Sequence, residues 1–274
     1  REDIETAELN FNPVTSGPFK LYKWDRDQKI HLRTDSSCFL FNPENVQEII
    51  FKIIPDEYSQ ITQLNKGEID LIEDVSSEKV QELIENKNVI IGSIKGRNYD
   101  YVGWNHIDPT AYSKKENKPN RIFASAKTRK ALSYAINRNE IFQSIVGKYG
   151  EIYDSPISPI FKQYFDSNLT KVEYNPQLAK NILAEEGWKD NNGDGILEKN
   201  NQKFSFKIYT AAGNSIRQYV GTIIKNNLKE VGIEAELMFV ERSELLDGMI
   251  ARKYDAWISG WSIEIPLKLD SYWS

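Results

Sequence analysis

FSFKIYTAAGNSIRQYVGTIIKNNLKEVGIEAELMFVERSELLDGMIARKYDAWISGW, residues 204–261, alternates three strand patterns with two helical ones. Phe204, Phe206 and Ile208 alternate with polar residues, the period of a strand that buries one face. Ser215 is placed to cap a helix whose apolar stripe is Tyr219, Val220, Ile223, Ile224 and Leu228, and Gly232 stops it. Ile233, Ala235, Leu237 and Phe239 alternate again. Ser243 opens a second helix carrying Leu245, Leu246, Met249 and Ile250, and Tyr254 to Trp261 reads as a third strand. A β-α-β-α-β run of this kind requires right-handed crossovers and a parallel sheet. Ligands of such open sheets sit outside the carboxyl ends of the strands.

Upstream, Asn175-Pro176 is a helix start with proline at the first helical position, followed by the stripe Ala179, Ile182 and Leu183 and closed by Gly187. Thr128 to Ile136 places Ala131, Leu132, Ala135 and Ile136 on one helical face, and Asn139 restarts a helix that Gly147 closes. Asp108 to Asn120 is polar, charged and proline-containing, the texture of a boundary. The first third reads as strands with a few helices. Strands are expected around Phe19 to Trp24, Ile30 to Leu32, Val46 to Ile54, Ile69 to Ile72, Val89 to Ile94 and Tyr99 to Asn105. Asp56 is placed to cap a helix closed by Gly67, and Ser76 or Ser77 a second one through Leu83.

The chain has 274 residues, enough for two domains or for two lobes sharing crossover strands, and 40% hydrophobic residues, enough for real cores. A net charge of −5 argues against nucleic acid, which needs a basic surface. The basic run of Lys114, Lys115, Lys118, Arg121, Lys127, Arg129 and Lys130 reads as a solvated loop and helix start. Cys38 is the sole cysteine, so neither an internal disulfide nor a cysteine metal cluster is available. No run of 18 apolar residues is present to span a bilayer. The chain opens at Arg1 without a signal peptide and stops at Ser274 after an aromatic segment, which reads as a piece of a longer protein.

The sequence carries no catalytic constellation. His31 and His106 sit in no metal-ligand or nucleophile motif, and no phosphate loop, nucleophile elbow or complete dinucleotide fingerprint occurs. No cofactor, metal or enzymatic activity is therefore expected. Asp190-Asn191-Asn192-Gly193-Asp194-Gly195 opens like a calcium loop, but Asn201 stands where the bidentate Glu belongs. A turn rich in Asp, Asn and Gly is the reading preferred. The aromatics Tyr99, Tyr101, Trp104, Trp257, Trp261, Tyr272 and Trp273 gather near two extended segments, where two lobes should join. Flat apolar walls with few polar anchors are what a ligand cleft uses.

Several segments, in this order, resemble the family 5 solute-binding proteins, the dipeptide and oligopeptide receptors of ABC importers. Ser16-Gly17-Pro18-Phe19-Lys20-Leu21 with Trp24 resembles the family's G-P-Y/F-K-L-x-x-W strand. Gln63 to Asp70 resembles A-L-x-x-G-E-I-D, with Gln63 where Ala is usual, and Thr128 to Arg138 resembles V-R-x-A-L-x-Y-A-I-D-R, with Asn137 for Asp. Ala179 to Trp188, the turn after it, Gly232-Ile233 and Tyr254-Asp255 resemble later marks.

The resemblance implies an α/β, two-lobed, class II periplasmic-binding-protein-like fold, here a fragment with one lobe incomplete. Residues 1–105 would be part of a strand-rich first lobe, 106–254 the second α/β lobe, and 255–274 a return strand into the first. It implies an extracytoplasmic receptor that binds di- or oligopeptides between lobes for ABC permease subunits in the membrane. Such a receptor would be monomeric, periplasmic or at the cell surface, and lipid-anchored when full-length. An oligosaccharide, a metal complex or a non-transport sensor role stays open. In peptide-binding members a W-x-x-D stretch supplies an acid for the ligand's amino terminus. Trp261-Ser262-Ile263-Glu264 stands there with Glu264 in place of the Asp, and the D-P pair that follows in the family is missing. Expected ligand contacts are Tyr99, Trp104, Asn105, Trp257, Trp261 and Glu264.

Overall fold

The structure, a computed structural model, describes residues 10–265 and 267. The chain divides into two compact units, Arg1–Ile91 and Gly92–Ser274. In the first, β1 (Phe19–Asp25), β2 (Lys29–Thr34) and β3 (Glu48–Lys52) form an antiparallel sheet in sequence order. A register shift between Leu21 and Lys23 bulges β1. Helices α1 (Glu57–Lys66) and α2 (Ser77–Ile84) follow, their buried residues being Ile61, Val80 and Leu83. Asp56 caps α1 by accepting from the Ser59 N–H at 2.7 Å, and Gly67 ends it at φ +73°, as its sequence signals require. The strands expected at Ile69 to Ile72 and Val89 to Ile94 do not form. These short apolar runs find no neighbouring strand among the described residues, and propensity without a pairing partner makes no ladder.

The second unit is built on a four-stranded sheet in the order β4-β9-β7-β8. Its strands are β4 (Asn98–Trp104), β7 (Ser205–Ala211), β8 (Glu234–Val240) and β9 (Ala256–Ser262). A two-stranded ribbon, β5 (Glu198–Lys199) with β6 (Gln202–Lys203), lies apart from it. β8 and β9 flank β7 and both run parallel to it, which is the sheet expected from the alternation of strand and helix. The connecting helices are α7 (Ser215–Glu230) and α8 (Arg242–Ile250). Asn214, one residue ahead of the expected Ser215, caps α7 by accepting from the Arg217 N–H at 2.8 Å. The side chain of Glu241, at the corresponding position of α8, makes no capping bond.

The main core lies between one sheet face and three helices, α4 (Ala126–Ala135), α6 (Pro176–Glu185) and α7. Phe206, Ile208, Ala235, Ala256 and Ile258 from the sheet meet Leu132, Leu183, Ile224 and Leu228 from the helices, all buried. Phe123 is fully buried at the centre, with Phe206 edge-on at 4.9 Å. Between strand β4 and helix α4 lies the one-turn α3 (Pro109–Ser113), and after α4 come the one-turn α5 (Arg138–Ile141) and a π-helical turn over residues 142–146. The opposite sheet face carries a smaller core of Ala211, Leu245 and Tyr254, where the Tyr254 ring lies on Tyr209 at 3.8 Å.

The compact units and the lobes expected from sequence are drawn differently. β4 and β9, expected to lead out of and back into the first lobe, pair with each other along their whole length, Asn98 opposite Ser262 through Trp104 opposite Ala256. Seven pairs of laddered residues place both strands in the sheet of the second unit. The two extended segments singled out by their aromatics are therefore neighbours in space.

Candidate functional site

In an extended strand alternate side chains point to opposite faces, and alternate main-chain groups point to opposite edges. Both alternations matter on β9. Its face set by Trp257, Ser259 and Trp261 is shared, through the register, by Gly103, Tyr101 and Tyr99 of β4. The rings of Tyr99 and Tyr101 lie 5.8 Å apart, and the Trp257 indole donates to the Tyr101 hydroxyl at 3.3 Å. Gly103 lets that indole lie flat on β4, since a Cβ there would stand 2.3 Å from Trp257 Cε2. The result is a half-buried aromatic face of Tyr99, Tyr101, Trp257 and Trp261.

The other two interior candidates lie elsewhere. Trp104 is on the opposite face, stacked on Phe123 at 5.2 Å and edge-on to Phe206 at 5.9 Å, as part of the main core. Asn105 is 5% exposed and uses its amide to tie the end of β4 to the segment before β9. It donates to the carbonyls of Tyr254 (3.0 Å) and Arg252 (3.3 Å) and accepts from the Ile107 N–H (3.2 Å). Glu264 is exposed two residues beyond β9. Tyr272 and Trp273 lie outside the described residues.

The edges of β9 differ as much as its faces. The Asp255 carbonyl accepts from Asn105 N–H and the Ile263 N–H donates to the Arg97 carbonyl, so odd-numbered residues turn toward β4. Even-numbered residues turn toward β7, as the bond from the Thr210 hydroxyl to the Ile258 carbonyl at 3.2 Å records. Yet the β7–β9 register holds only Ile208 opposite Ala256 and Tyr209 opposite Trp257. Past Trp257 the two parallel strands part. The main-chain groups of Gly260 and Ser262 then face a fork at the carboxyl edge of the sheet, with no main-chain partner there among the described residues. On the β7 side of the fork, Gln218 donates to the Ala212 carbonyl. The open edge is therefore that of β9.

Beside the fork an ion pair crosses β9. Arg217, in the first turn of α7, donates from Nη2 at 2.7 Å and from Nε at 3.2 Å to Oδ1 of Asp100 on β4. It passes over Gly260, where a Cβ would be 2.1 Å from that oxygen and 2.4 Å from Nη2. Neither charge was singled out from the sequence. They lie 117 positions apart, and the only local sign was a glycine inside a strand, the mark of a close approach.

At the other end of β9, Asp255 accepts from Asn120 Nδ2 at 2.8 Å. Burial pushes its carboxyl above the ordinary carboxylate range, the Asn120 bond opposes that, and the Asp108 charge adds to it. The Asp190 turn is built by its own side chains. Asp190 accepts from the N–H groups of Gly193 (2.7 Å) and Gly195 (2.9 Å), and Lys203 donates to Asp194, holding that carboxyl below its ordinary range. Among the described residues no group of three or more His, Cys, Asp and Glu side chains is arranged to hold a metal. No helix of the described residues is long and apolar enough to cross a membrane.

Residues 1–274 match the family described as "Bacterial extracellular solute-binding proteins, family 5 Middle". The oligopeptide-binding protein AppA of Bacillus subtilis is 34% identical over 266 residues, covering 95% of this chain and 46% of that protein. The structure of AppA from Bacillus subtilis in complex with a nonapeptide superposes with a TM-score of 0.72 at 35% identity, covering 95% of this chain and 50% of that one. NikZ from Campylobacter jejuni, in complex with Ni(L-His), gives a TM-score of 0.74 at 22% identity over 97% of this chain and 49% of its own, a likeness of fold. The fold is thus the class II periplasmic-binding-protein-like one expected from the motifs. The chain spans about half the length of the curated relatives it matches.

Proposed function

This chain belongs to family 5 of the bacterial extracellular solute-binding proteins, and from that membership we propose that the whole protein is the peptide-binding component of an ABC importer. The observation that carries the peptide assignment is the fork at the carboxyl edge of the second unit's sheet. An extended peptide recognises an unladdered strand by its own main-chain N–H and C=O groups, which every peptide has regardless of sequence. Gly260 and Ser262 offer such groups on the free edge of β9. A ligand strand laid along them turns alternate side chains toward the Trp257 and Trp261 face, a flat apolar wall that tolerates many residues. Tyr99 extends that wall one strand further, and Glu264 lies just past it, placed to pair with a ligand ammonium. In this reading Trp104 and Asn105 support the strands from within the core, while Tyr99, Trp257, Trp261 and Glu264 meet the ligand.

Within the second unit the carboxyl end of β9 is the ligand edge, and β4 backs that strand on its other side. A binding role without catalysis, a periplasmic or cell-surface location, membrane permease partners, a monomeric state and a lipid anchor on the full-length protein complete the proposal, and family membership supports the extracytoplasmic location.

Titration calorimetry of the full-length protein against alanine pentapeptides, and against the same peptides N-methylated at successive amides, tests it. Binding that falls when one or two particular amides are methylated, and that weakens with Trp261→Ala, is the expected result. Equal affinity for all the methylated peptides would remove the free edge from the site. Heat with oligosaccharides or nickel–histidine and none with peptides would overturn the peptide assignment while leaving the family untouched.

A further inference from the structure

We propose that Arg217 is a specificity-determining residue that selects a carboxylate on the ligand residue lying opposite Gly260, with Asp100 holding the guanidinium in place when no such ligand is bound. The inference rests on the reading of the fork as a peptide edge, and it follows from the alternation of faces. Residues paired across two strands carry their side chains on the same face. A ligand residue opposite Gly260 therefore sends its side chain to the face where the glycine's missing Cβ would point. Asp100 Oδ1 and Arg217 Nη2 occupy that place, 2.1 and 2.4 Å from the Cβ position. The ligand's adjacent residues point to the tryptophan face instead.

The two charges are not equivalent from the ligand's side. Asp100 is the direct partner of Gly260 on β4, the far side of β9 from the fork. Arg217 reaches in from the first turn of α7, the helix that leads away from the end of β7, and so crosses the near side. A side chain entering the fork meets the guanidinium before the carboxylate. Arg217 spends two of its N–H donors on Asp100 Oδ1, which leaves three of the five a guanidinium carries. Its side chain is 23% exposed, open enough to be reached and sheltered enough for charge to count. The amino end of α7 adds positive potential of the same sign. Arg97, which donates to the Ile263 carbonyl at 3.0 Å, lies on the β4 side of β9 and leaves the fork to Arg217. Asp100 opposes the positive potential there, so its removal should sharpen the preference for an acid.

The test uses the full-length protein and alanine pentapeptides in which one Glu, Gln or Lys is moved through the five positions. At one position the wild-type protein should prefer Glu to Gln by about two- to fivefold, the scale of an ion pair on a partly exposed group, and should bind Lys more weakly than Gln. Arg217→Gln should level the Glu and Gln peptides at that position while leaving the all-alanine peptide bound. Asp100→Asn should widen the Glu preference, a change in the opposite direction that loss of folding could not produce. Equal ranking of Glu, Gln and Lys peptides in all three proteins, each binding the all-alanine peptide, would overturn the role of Arg217 and keep the peptide edge. Failure of wild-type protein to bind any of the peptides would overturn the peptide edge itself, and this inference with it.

Discussion

Two glycines on the paired strands β4 and β9 face comparable overlaps, and alanine at each should have different consequences. At Gly103 an added Cβ would stand 2.3, 2.5 and 2.6 Å from Cε2, Nε1 and Cζ2 of Trp257, against the roughly 3.5–4.0 Å of ordinary contact. Those atoms belong to the body of an indole held between β4, the small core around Tyr254 and the Tyr101 hydroxyl. The ring has to move as a whole, so the cost is that of overpacking, about 1–3 kcal/mol. Replacing a strand glycine returns about 0.5–1 kcal/mol of backbone entropy. The midpoints of the two ranges leave a net loss of about 1–2 kcal/mol. At Gly260 the obstructing atoms are the tips of Asp100 and Arg217, with the Tyr99 carbonyl at 3.0 Å. The tips can swing away, and the partly exposed ion pair that would be lost is worth about 0.2–1 kcal/mol, which the same entropic gain offsets. At about 2–4 °C per kcal/mol for a domain of this size, Gly103→Ala should lower Tm by about 2–8 °C while Gly260→Ala leaves it nearly unmoved. Scanning calorimetry of the full-length protein, with tryptophan fluorescence to follow Trp257, decides it. Equal Tm changes in the two variants would refute the argument that the mobility of the obstructing atoms sets the cost.

Phe123→Ala should cost about 3–5 kcal/mol in urea unfolding, because the ring is fully buried and carries contacts to Trp104, Phe204 and Phe206. A loss under 1 kcal/mol would mean the core collapses around the gap. The folded-state pKa of Asp255 is raised, so its contribution to stability is present below the unfolded carboxylate pKa and is lost as pH rises through the folded value. Asp255→Asn keeps an acceptor for Asn120 and should flatten that part of the Tm-against-pH curve. An unchanged curve above the ordinary carboxylate range, about pH 4, would show that the carboxyl titrates alike in both states. Millimolar calcium should leave Tm unmoved, since Lys203 already neutralises Asp194 in the Asp190 turn. A rise in Tm would show that the ion binds the folded protein in competition with that lysine.

Much of the second unit was legible in the chain because its signals are local. The alternation at Phe206 and Ile208, the stripe Ile223, Ile224 and Leu228, and the stop at Gly232 each act within a few residues, and each element formed where they pointed. Caps were readable to within one residue, Asn214 taking the role expected of Ser215, because both residue types can accept a main-chain bond. The apolar runs at residues 69–72 and 89–94 show the limit, since a strand exists only if another strand lies beside it. Composition could gather the aromatics but not sort them: a single reversal of face sends Trp104 into the core against Phe123 and leaves Trp257 and Trp261 on the opposite face.

Local residue patterns suffice for the elements of the second unit, their alternation and the family, all of which depend on residues close together along the chain. Long-range packing is what puts β9 between β4 and β7, parts it from β7 after Trp257, and brings Arg217 to Asp100 over Gly260. Those are contacts between residues far apart in sequence, fixed by how the sheet closes its ladder and buries Phe206, Ile208 and Ile258 under the helices, and no periodicity along the chain records them.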